Sequence, residues 1–241
     1  MLRNYYFAVI IFTFAISKGN LITVLKAVIM GLFYKKVIKN ASIGVWEINE
    51  TVEELYQKIK LSEREQETFD SLKTISRKRH WLSYRLILPY LVKPEELSAI
   101  DYDEYGKPYL NNGVRHISVS HSGKFSALIV SPNRSVGIDI EEVDPKIFNI
   151  AHKFLHGNEV TCSVGKNALQ KLYIIWAAKE SLYKLYGKRN ILFKDNIRIF
   201  PFSFKGYGDV KGEISSDEFC KSYSLFYQTL EKYILVYSVD N

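Results

Sequence analysis

The sequence predicts an α+β fold built from two similar halves that meet near residue 133. A strand, helices and strands follow one another along the chain, and the same order then begins again. The 241 residues are 47% hydrophobic and 24% charged, which is typical of an ordered globular protein with a sizeable core. No Gly- or Ser-rich linker separates the halves, 30–133 and 134–241, so we expect them to pack closely.

The first half is predicted to begin with a strand and to continue with helices. Alternating apolar residues indicate a strand at 43–48. A capping box at 51–54 opens a helix to about residue 60, because its Thr and Glu satisfy free backbone N–H groups. A second box at 62–65 opens a helix or helix pair that ends before Pro94. Strands are then predicted at 116–120 and 125–131.

The second half repeats this plan. It begins with a strand at 135–141, after a turn at Pro132 and Asn133. Helices are predicted at 145–155 and 167–186, and Gly187 stops the longer one because glycine readily adopts the left-handed conformation. The chain closes with strand-like runs at 196–200, 210–214, 223–228 and 233–239.

Residues 1–29 differ from the rest of the chain, because they contain basic residues, no acid and a nearly continuous apolar run at 5–16. A signal peptide would have such a run after a basic start. A membrane anchor needs about 20 apolar residues, and Lys18 and Lys26 interrupt both apolar runs. The interpretation we favour is a start assigned too far upstream, with Met30 as the true start. Residues 1–29 are thus predicted to be a spurious or targeting extension.

The charge and cysteine content narrow the functional classes. The chain has 33 Lys and Arg against 26 Asp and Glu, a net charge of +7, which favours acidic partners such as nucleic acid, anionic lipid, phosphorylated small molecules or an acidic protein. Two cysteines exclude a disulfide scaffold and a Cys-rich zinc module, and they fit a reducing cytosol.

The strand at 137–141 carries the clearest chemistry. Asp139 and Glu141 point to one face with Cα atoms about 6.6 Å apart, while Ile138 and Ile140 point to the other and can be buried. Two carboxylates that project together repel unless a cation lies between them, and oxygen ligands favour Mg²⁺. The alternative is a solvated acidic strand end.

A second candidate cluster lies on the long helix. Trp176, Glu180 and Lys184 are spaced four residues apart and therefore share one side of the helix. An exposed Glu–Lys pair would be the ordinary explanation, but it does not explain the tryptophan at the same spacing.

Together, segments 137–141 (GIDIE) and 176–184 (WAAKESLYK) resemble the two signature motifs of the 4′-phosphopantetheinyl transferase superfamily. The D-x-E form and the doubled plan resemble its larger, surfactin-synthetase-activating (Sfp-like) type. One departure is Ser118, where many members have Asn. Further segments agree with the family: a GKP turn at 106–109, an SHS strand at 117–122, an FLxxR-like helix at 81–85, and Phe154, Leu155 and Glu159 of an F-L-x-x-x-E stretch.

The resemblance implies a pseudo-two-fold fold with the active site in the cleft between two α/β halves. It also implies an activity, transfer of the 4′-phosphopantetheine group from coenzyme A to a serine of an apo acyl or peptidyl carrier protein, with release of 3′,5′-ADP. The expected cofactor is Mg²⁺, with coenzyme A as co-substrate. The expected partner is an acidic carrier protein, the expected location is the cytoplasm, and the expected state is a monomer without stable membrane association.

The resemblance further assigns residues to roles. Asp139, Glu141 and Glu180 match the metal ligands, and Glu180 also matches a group that receives the serine proton. Lys184 matches the lysine that steadies the leaving phosphate. The implied coenzyme A contacts are Arg85, Lys107, Ser120 and His121 together with Asp139 and Lys184, and Lys78 and Arg79 are weaker candidates for the 3′-phosphate.

Two other functions stay open at this point. The basic run at 77–80, followed by Trp81, together with many tyrosines, would suit a nucleic-acid-binding protein, but that leaves the carboxylates unexplained because acids repel phosphate. An inactive relative could serve as a binding module for coenzyme A or a carrier protein. The signature acids and Lys184 are all present, which favours an active enzyme.

Overall fold

The computed structural model describes residues 9–17, 20–28, 31–188, 190–216 and 219–240. Strands β1 (Val9–Ser17) and β2 (Asn20–Val28) pair antiparallel and form a two-stranded sheet. The predicted start at Met30 falls outside the described residues. Within the described ranges, no helix is long and apolar enough to cross a bilayer.

The first half of the chain forms a six-stranded antiparallel sheet, which we call the first sheet. Three helices connect its second and third strands in sequence, and their capping boxes at Thr51 and Ser62 are formed as predicted. A short 3₁₀ turn at Pro94–Glu96 follows the last helix. The elements are β3 (Leu32–Ile38), β4 (Ala41–Glu47), α1 (Val52–Tyr56), α2 (Glu63–Ser71), α3 (Ile75–Leu91), β5 (Ile100–Tyr102), β6 (Pro108–Leu110), β7 (His116–Ser122) and β8 (Phe125–Ser131).

The second half forms a five-stranded antiparallel sheet, the second sheet, around one long helix. That helix ends at Gly187, whose φ of 74° is the left-handed conformation predicted for it. A 3₁₀ segment lies at Gly157–Ser163. The elements are β9 (Val136–Glu142), α4 (Ile147–Phe154), α5 (Ala168–Tyr186), α6 (Phe193–Asn196), β10 (Ile197–Ile199), β11 (Tyr207–Ser215), β12 (Cys220–Leu230) and β13 (Tyr233–Val239).

The two sheets share one topology. The strand order is β4-β8-β7-β6-β5 in the first sheet and β9-β13-β12-β11-β10 in the second, with β3 added at the outer edge of the first. Apart from β3, the first strand of each half pairs with the last one, β4 with β8 and β9 with β13, and a long helix, α3 or α5, lies between them in sequence. The predicted α+β fold with two similar halves is therefore confirmed.

The sheets and helices stack in four layers. One apolar cluster joins α3 to the first sheet, a second joins α5 to the second sheet, and a third fills the space between the sheets. In the third cluster Ile43 and Ile129 of the first sheet meet Ile138 and Tyr237 of the second. The halves pack closely, as the missing linker predicts, and this packing brings β7 beside β9.

Candidate functional site

The predicted carboxylates lie on the face of β9 that is turned toward α5. Ile138 and Ile140 of the same strand are fully buried between the sheets, as the alternation predicts. Gly137 allows the close approach of the helix, because a Cβ at this position would collide with the backbone carbonyl of Ser181. Asp139 and Glu141 are therefore held between a strand and a helix, where a protein ordinarily places apolar side chains.

The matching strand of the first half shows what an ordinary core has at these positions. In β4, Gly44 approaches α3, where a Cβ would collide with Ile87, and Trp46 and Ile48 pack into the apolar cluster under that helix. The second half has carboxylates where the first has Trp46 and Ile48. Such a local departure from apolar packing, in an otherwise regular repeat, marks a functional site.

Asp139 is the most enclosed of these acids, with 3% of its surface exposed. Its Oδ1 accepts hydrogen bonds from the Ser120 hydroxyl at 2.7 Å and from Lys184 Nζ at 2.7 Å. Its Oδ2 is buried and has no hydrogen-bond partner. A buried, unpartnered carboxylate oxygen is costly, and a cation could satisfy it.

Glu141 is held from both sides. Its Oε1 accepts from the indole N–H of Trp176 at 3.0 Å, and its Oε2 accepts from the Ser122 hydroxyl at 3.1 Å. Burial, and next the negative charge of Asp139, raise the pKa of Glu141 to about 7. Trp176, which the helix spacing singled out, thus orients a candidate ligand.

Glu180 faces the same space from α5 and is half-buried. Burial and then the charge of Asp139 raise the pKa of Glu180 to about 7, with a smaller contribution from Glu141. The three acids are therefore close enough for their charges to repel one another, and Lys184 is the cation that offsets them.

The donor set fits a hard divalent cation, because three carboxylates and an unpartnered buried oxygen offer negative oxygen ligands. In the described part of the chain, no three His, Cys, Asp or Glu side chains are already arranged around a common point as metal ligands. The Lys184 ammonium is bonded to Asp139 instead. The acids gather as predicted, but their ligand role stays a prediction.

Lys107 of the GKP turn lies across a small cleft from Lys184. Its Nζ donates to the carbonyl of Leu185 at 2.9 Å, near the C-terminus of α5, and burial lowers its pKa. The cleft has a volume of about 150 Å³ and is lined by both lysines, Pro108, Val119 and Tyr183 among others. It lies between the halves, as the resemblance implies.

His121 lies at the end of β7 and stacks on His80 of α3, with ring centroids 4.3 Å apart. His80 Nε2 is 2.9 Å from the carbonyl oxygen of Gly123, which fixes that ring. Partial burial, and next the charges of His80 and Lys184, lower the pKa of His121 to about 4. The imidazole is therefore neutral near pH 7.

Beside this pair, a second pocket is lined by Ile48, Ser76, Arg79, His80, Gly123 and Lys124. Arg79 donates to the Ile48 carbonyl at 3.0 Å, and its buried Nε has no partner. Arg79, the weaker 3′-phosphate candidate, thus lines the same pocket as His80, which stacks on His121.

The structure does not bring Arg85 to the site. Its side chain is 5% exposed, and its Nε donates to Glu65 at 2.9 Å. Its two other nitrogens donate to the carbonyls of Trp81 and Ile100, so the guanidinium is fully used inside the first half. We therefore assign Arg85 a structural role instead of the coenzyme A contact that the resemblance implies.

Sequence reasoning gave no role at the site to Ser122, although it lies in the SHS segment, or to His80, and both touch predicted site residues. Ser122 could have been found, because serines alternate at 118, 120 and 122 and so share a face of β7. For His80, no such signal exists, because its partner His121 is 41 positions away and only the packing of α3 on the sheet joins them.

Comparison with known proteins agrees with this geometry. Residues 135–237 match the profile of the 4′-phosphopantetheinyl transferase superfamily. A 4′-phosphopantetheinyl transferase of Bacillus subtilis is 36% identical over 115 residues, which are 46% of this chain and 50% of the relative. The transferase AcpT of Salmonella typhi is 30% identical over 117 residues, 46% of this chain and 60% of the relative. Sfp of Bacillus subtilis strain 168 is 33% identical over 89 residues, 35% of this chain and 39% of the relative.

The chain thus spans about half the length of the curated relatives it matches. Both signature segments, 137–141 and 176–184, fall within the region matched by the family profile. The predicted resemblance is therefore confirmed: residues 135–237, which carry both signatures, are similar to the 4′-phosphopantetheinyl transferase superfamily.

Proposed function

We propose that the protein transfers the 4′-phosphopantetheine group from coenzyme A to a serine of an apo acyl or peptidyl carrier protein and releases 3′,5′-ADP. The observation that carries this proposal is the meeting of Asp139, Glu141, Glu180 and Lys184 between β9 and α5. Attack on a pyrophosphate develops negative charge, and it needs both cationic groups and a proton acceptor at one place.

In this proposal Asp139, Glu141 and Glu180 hold a divalent cation, with Mg²⁺ as the expected ion. Bound there, the ion would neutralise charge on the pyrophosphate of coenzyme A. The unpartnered Oδ2 of Asp139 and the mutual repulsion of the acids support this assignment.

Two groups of the chain act on the reacting atoms. Lys184 holds the leaving phosphate, and its ammonium already lies at the site with 27% of the side chain exposed. Glu180 receives the serine proton, since no hydrogen bond ties it elsewhere among the described residues and its carboxylate faces the space that Asp139 and Glu141 also face.

Coenzyme A binds in the cleft between the halves. Lys107 supplies a contact from the first half, because it lines the cleft together with Lys184 of the second. His121 supplies another, because it is close enough to Lys184 for that charge to act on its pKa. Ser120 contributes from β7, where its hydroxyl also orients Asp139. Arg79 takes the 3′-phosphate in the adjoining pocket. Lys78, the other expected 3′-phosphate contact, does not line this pocket, because its ammonium lies over the ring of Phe69.

The carrier protein binds to the surface around α4 and the segments that follow it. Five large apolar side chains are exposed there, and exposed lysines surround them, which suits an acidic partner that also has an apolar contact face. The apolar residues are Phe148, Ile150, Val160, Val164 and Leu192, and the lysines are Lys146, Lys153, Lys166 and Lys194.

The protein acts as a monomer in the cytoplasm, where coenzyme A is available.

The test is incubation of the purified chain with coenzyme A, Mg²⁺ and a panel of apo carrier proteins, followed by intact-mass measurement. We expect a carrier to gain the mass of one phosphopantetheine group, and a carrier without its acceptor serine to gain nothing. Saturable coenzyme A binding without transfer to any carrier would instead indicate an inactive relative. Binding of nucleic acid without binding of coenzyme A would overturn the proposal.

A further inference from the structure

β9 forms one edge of the second sheet and pairs with a strand, β13, on only one side. The N–H groups on its other side face β7 of the first sheet. Three alternating serine hydroxyls of β7 accept them, and we call this row the serine ladder. It joins Ser118 to the N–H of Ile138 at 3.2 Å, Ser120 to that of Ile140 at 3.3 Å, and Ser122 to that of Glu142 at 3.0 Å.

The three hydroxyls of the serine ladder differ in the groups to which they donate. Ser120 also donates to Asp139 at 2.7 Å, and Ser122 donates to Glu141 at 3.1 Å. Ser118, which is 2% exposed, makes the same backbone bond but donates to no carboxylate in the described part of the chain. A hydroxyl has one donor and two acceptor positions, so the backbone N–H that it accepts also helps to aim its proton.

Glu141 is consequently fixed by both halves of the protein. Trp176 holds Oε1 from α5, in the same half, and Ser122 holds Oε2 from the other half. Without the Ser122 hydroxyl, Oε2 and the N–H of Glu142 would both lose a partner, and the carboxylate could turn about Oε1. The place of Glu141 in the site thus depends on the contact between the sheets.

We infer that Ser122 is a positioning residue that sets Glu141 for cation binding by tying it to the first half of the chain. This inference rests on the proposed function, because it assigns Ser122 to the cation that we place at the three carboxylates. Residues that orient a metal ligand typically change metal affinity by 10–100-fold when they are removed. A residue with only a structural role would change stability and leave metal affinity alone.

Three variants of the full chain separate these roles. Ser122→Ala removes both the backbone bond and the bond to Glu141. Ser118→Ala removes a matched backbone bond from the same strand pair but touches no carboxylate. Ser122→Thr keeps the hydroxyl on a residue that strands accept well. Mn²⁺ binding is measured by electron paramagnetic resonance in the absence of coenzyme A and carrier. Stability is measured by unfolding in urea.

We expect Ser122→Ala to weaken Mn²⁺ binding about tenfold or more. Ser118→Ala should stay within about twofold of the natural chain despite a similar loss of stability, and Ser122→Thr should restore most of the affinity. Equal Mn²⁺ affinities for the two alanine variants, or no Mn²⁺ binding by the natural chain, would overturn the inference. If the two alanine variants bind Mn²⁺ equally but the natural chain transfers phosphopantetheine to a carrier, the proposed function still holds. If the natural chain transfers nothing with or without metal, the proposed function is refuted whatever the Mn²⁺ affinities.

Discussion

Arg85 shows how one residue can match a motif and still have a structural role. Its guanidinium covers the ring of Trp81 at 3.3 Å and bonds Glu65, whose Oε1 also accepts from the N–H of Ile100. Although burial acts in the opposite direction, hydrogen bonding at Ser62 and the charge of Arg85 lower the pKa of Glu65 below its ordinary value of 4.5. The ion pair therefore links α2, α3 and β5.

We predict that Arg85→Ala destabilises the protein by about 3–5 kcal/mol, because it leaves a buried carboxylate without its partner. Since the folded pKa of Glu65 is lowered, its contribution to stability is present above pH 4.5 and is lost as the pH falls through the folded pKa. The difference between variant and natural chain should narrow in acid. Urea unfolding at pH 7 and pH 4 measures both effects.

Lys221→Ala is the control for this prediction, because Lys221 pairs with Asp240 at the surface with 44% of its side chain exposed. It should cost at most about 1 kcal/mol. A stable Arg85→Ala variant with weakened coenzyme A binding would show that the original assignment to coenzyme A was correct after all.

Lys184 should act on the transition state more than on binding. It is bonded to Asp139 and to the carbonyl of Ile138, so its ammonium is already held where the pyrophosphate is proposed to bind. We expect Lys184→Ala to lower kcat about a hundredfold or more while the KM for coenzyme A changes little. Lys107→Ala, across the cleft, should mainly raise that KM. Steady-state kinetics measure both variants. Equal changes in kcat and KM for the two variants would contradict this assignment of Lys184 to the transition state and Lys107 to binding.

At the scale of elements, the contact between β9 and α5 places the acids beside Glu180 and Lys184. Gly137 makes this contact, because the Cβ of any other residue would meet the backbone of Ser181, which cannot rotate away as a side chain could. Gly137→Ala should therefore cost about 1–3 kcal/mol through overpacking. Gly157→Ala is the matched control, since nothing lies within 4 Å of a Cβ there and its backbone is not left-handed. Equal midpoints in urea unfolding would refute this role for Gly137.

Most elements could be predicted because their signals are local. The capping boxes at Thr51 and Ser62 and the stop at Gly187 are each set by residues within one helical turn. Five strands were missed, of which β1 and β2 lie within the first 29 residues. β5 and β6 have three residues each, too few for a period to show, and β3 is mostly exposed with Lys35 and Lys36 in its middle.

The site residues were predictable to a similar extent and for the same reason. The two-residue repeat of a strand places Asp139 and Glu141 on one face, and the four-residue spacing on a helix places Glu180 and Lys184 on one side. In the structure these two pairs lie together. The contacts that orient them come from elsewhere in the chain. Ser122 reaches Glu141 only because the two sheets pack face to face, and no local pattern encodes that distance.

At the scale of the whole molecule, the repeat explains where the site lies. The two halves share strand order, long helix and close glycine contact, but Asp139 and Glu141 of the second half stand where the first half has Trp46 and Ile48. The site around those acids also includes Ser120 of β7 and the turn that carries Lys107, both from the first half. The site therefore requires both halves, which explains why a match confined to residues 135–237 covers the acids but not all of their partners.

The charge of the assembled site leads to the last prediction, a requirement for a divalent cation. Asp139, Glu141 and Glu180 repel one another, and the ammonium of Lys184, which already pairs with Asp139, cannot offset them and a pyrophosphate together. We expect transfer to fall to background in excess EDTA and to return when Mg²⁺ is added beyond the chelator.

Asp139→Ala and Glu180→Ala should each abolish that recovery while the protein stays folded by circular dichroism. Glu142→Gln is the control, because this neighbouring acid bonds Lys232 and Tyr233 instead of joining the group that faces α5. It should keep the rate and Mg²⁺ dependence of the natural chain. A natural rate in folded Asp139→Ala would contradict the assignment of Asp139 as a metal ligand. Full activity in EDTA would mean that the reaction proceeds without a metal, and Lys184 would then be the main group left to neutralise the pyrophosphate.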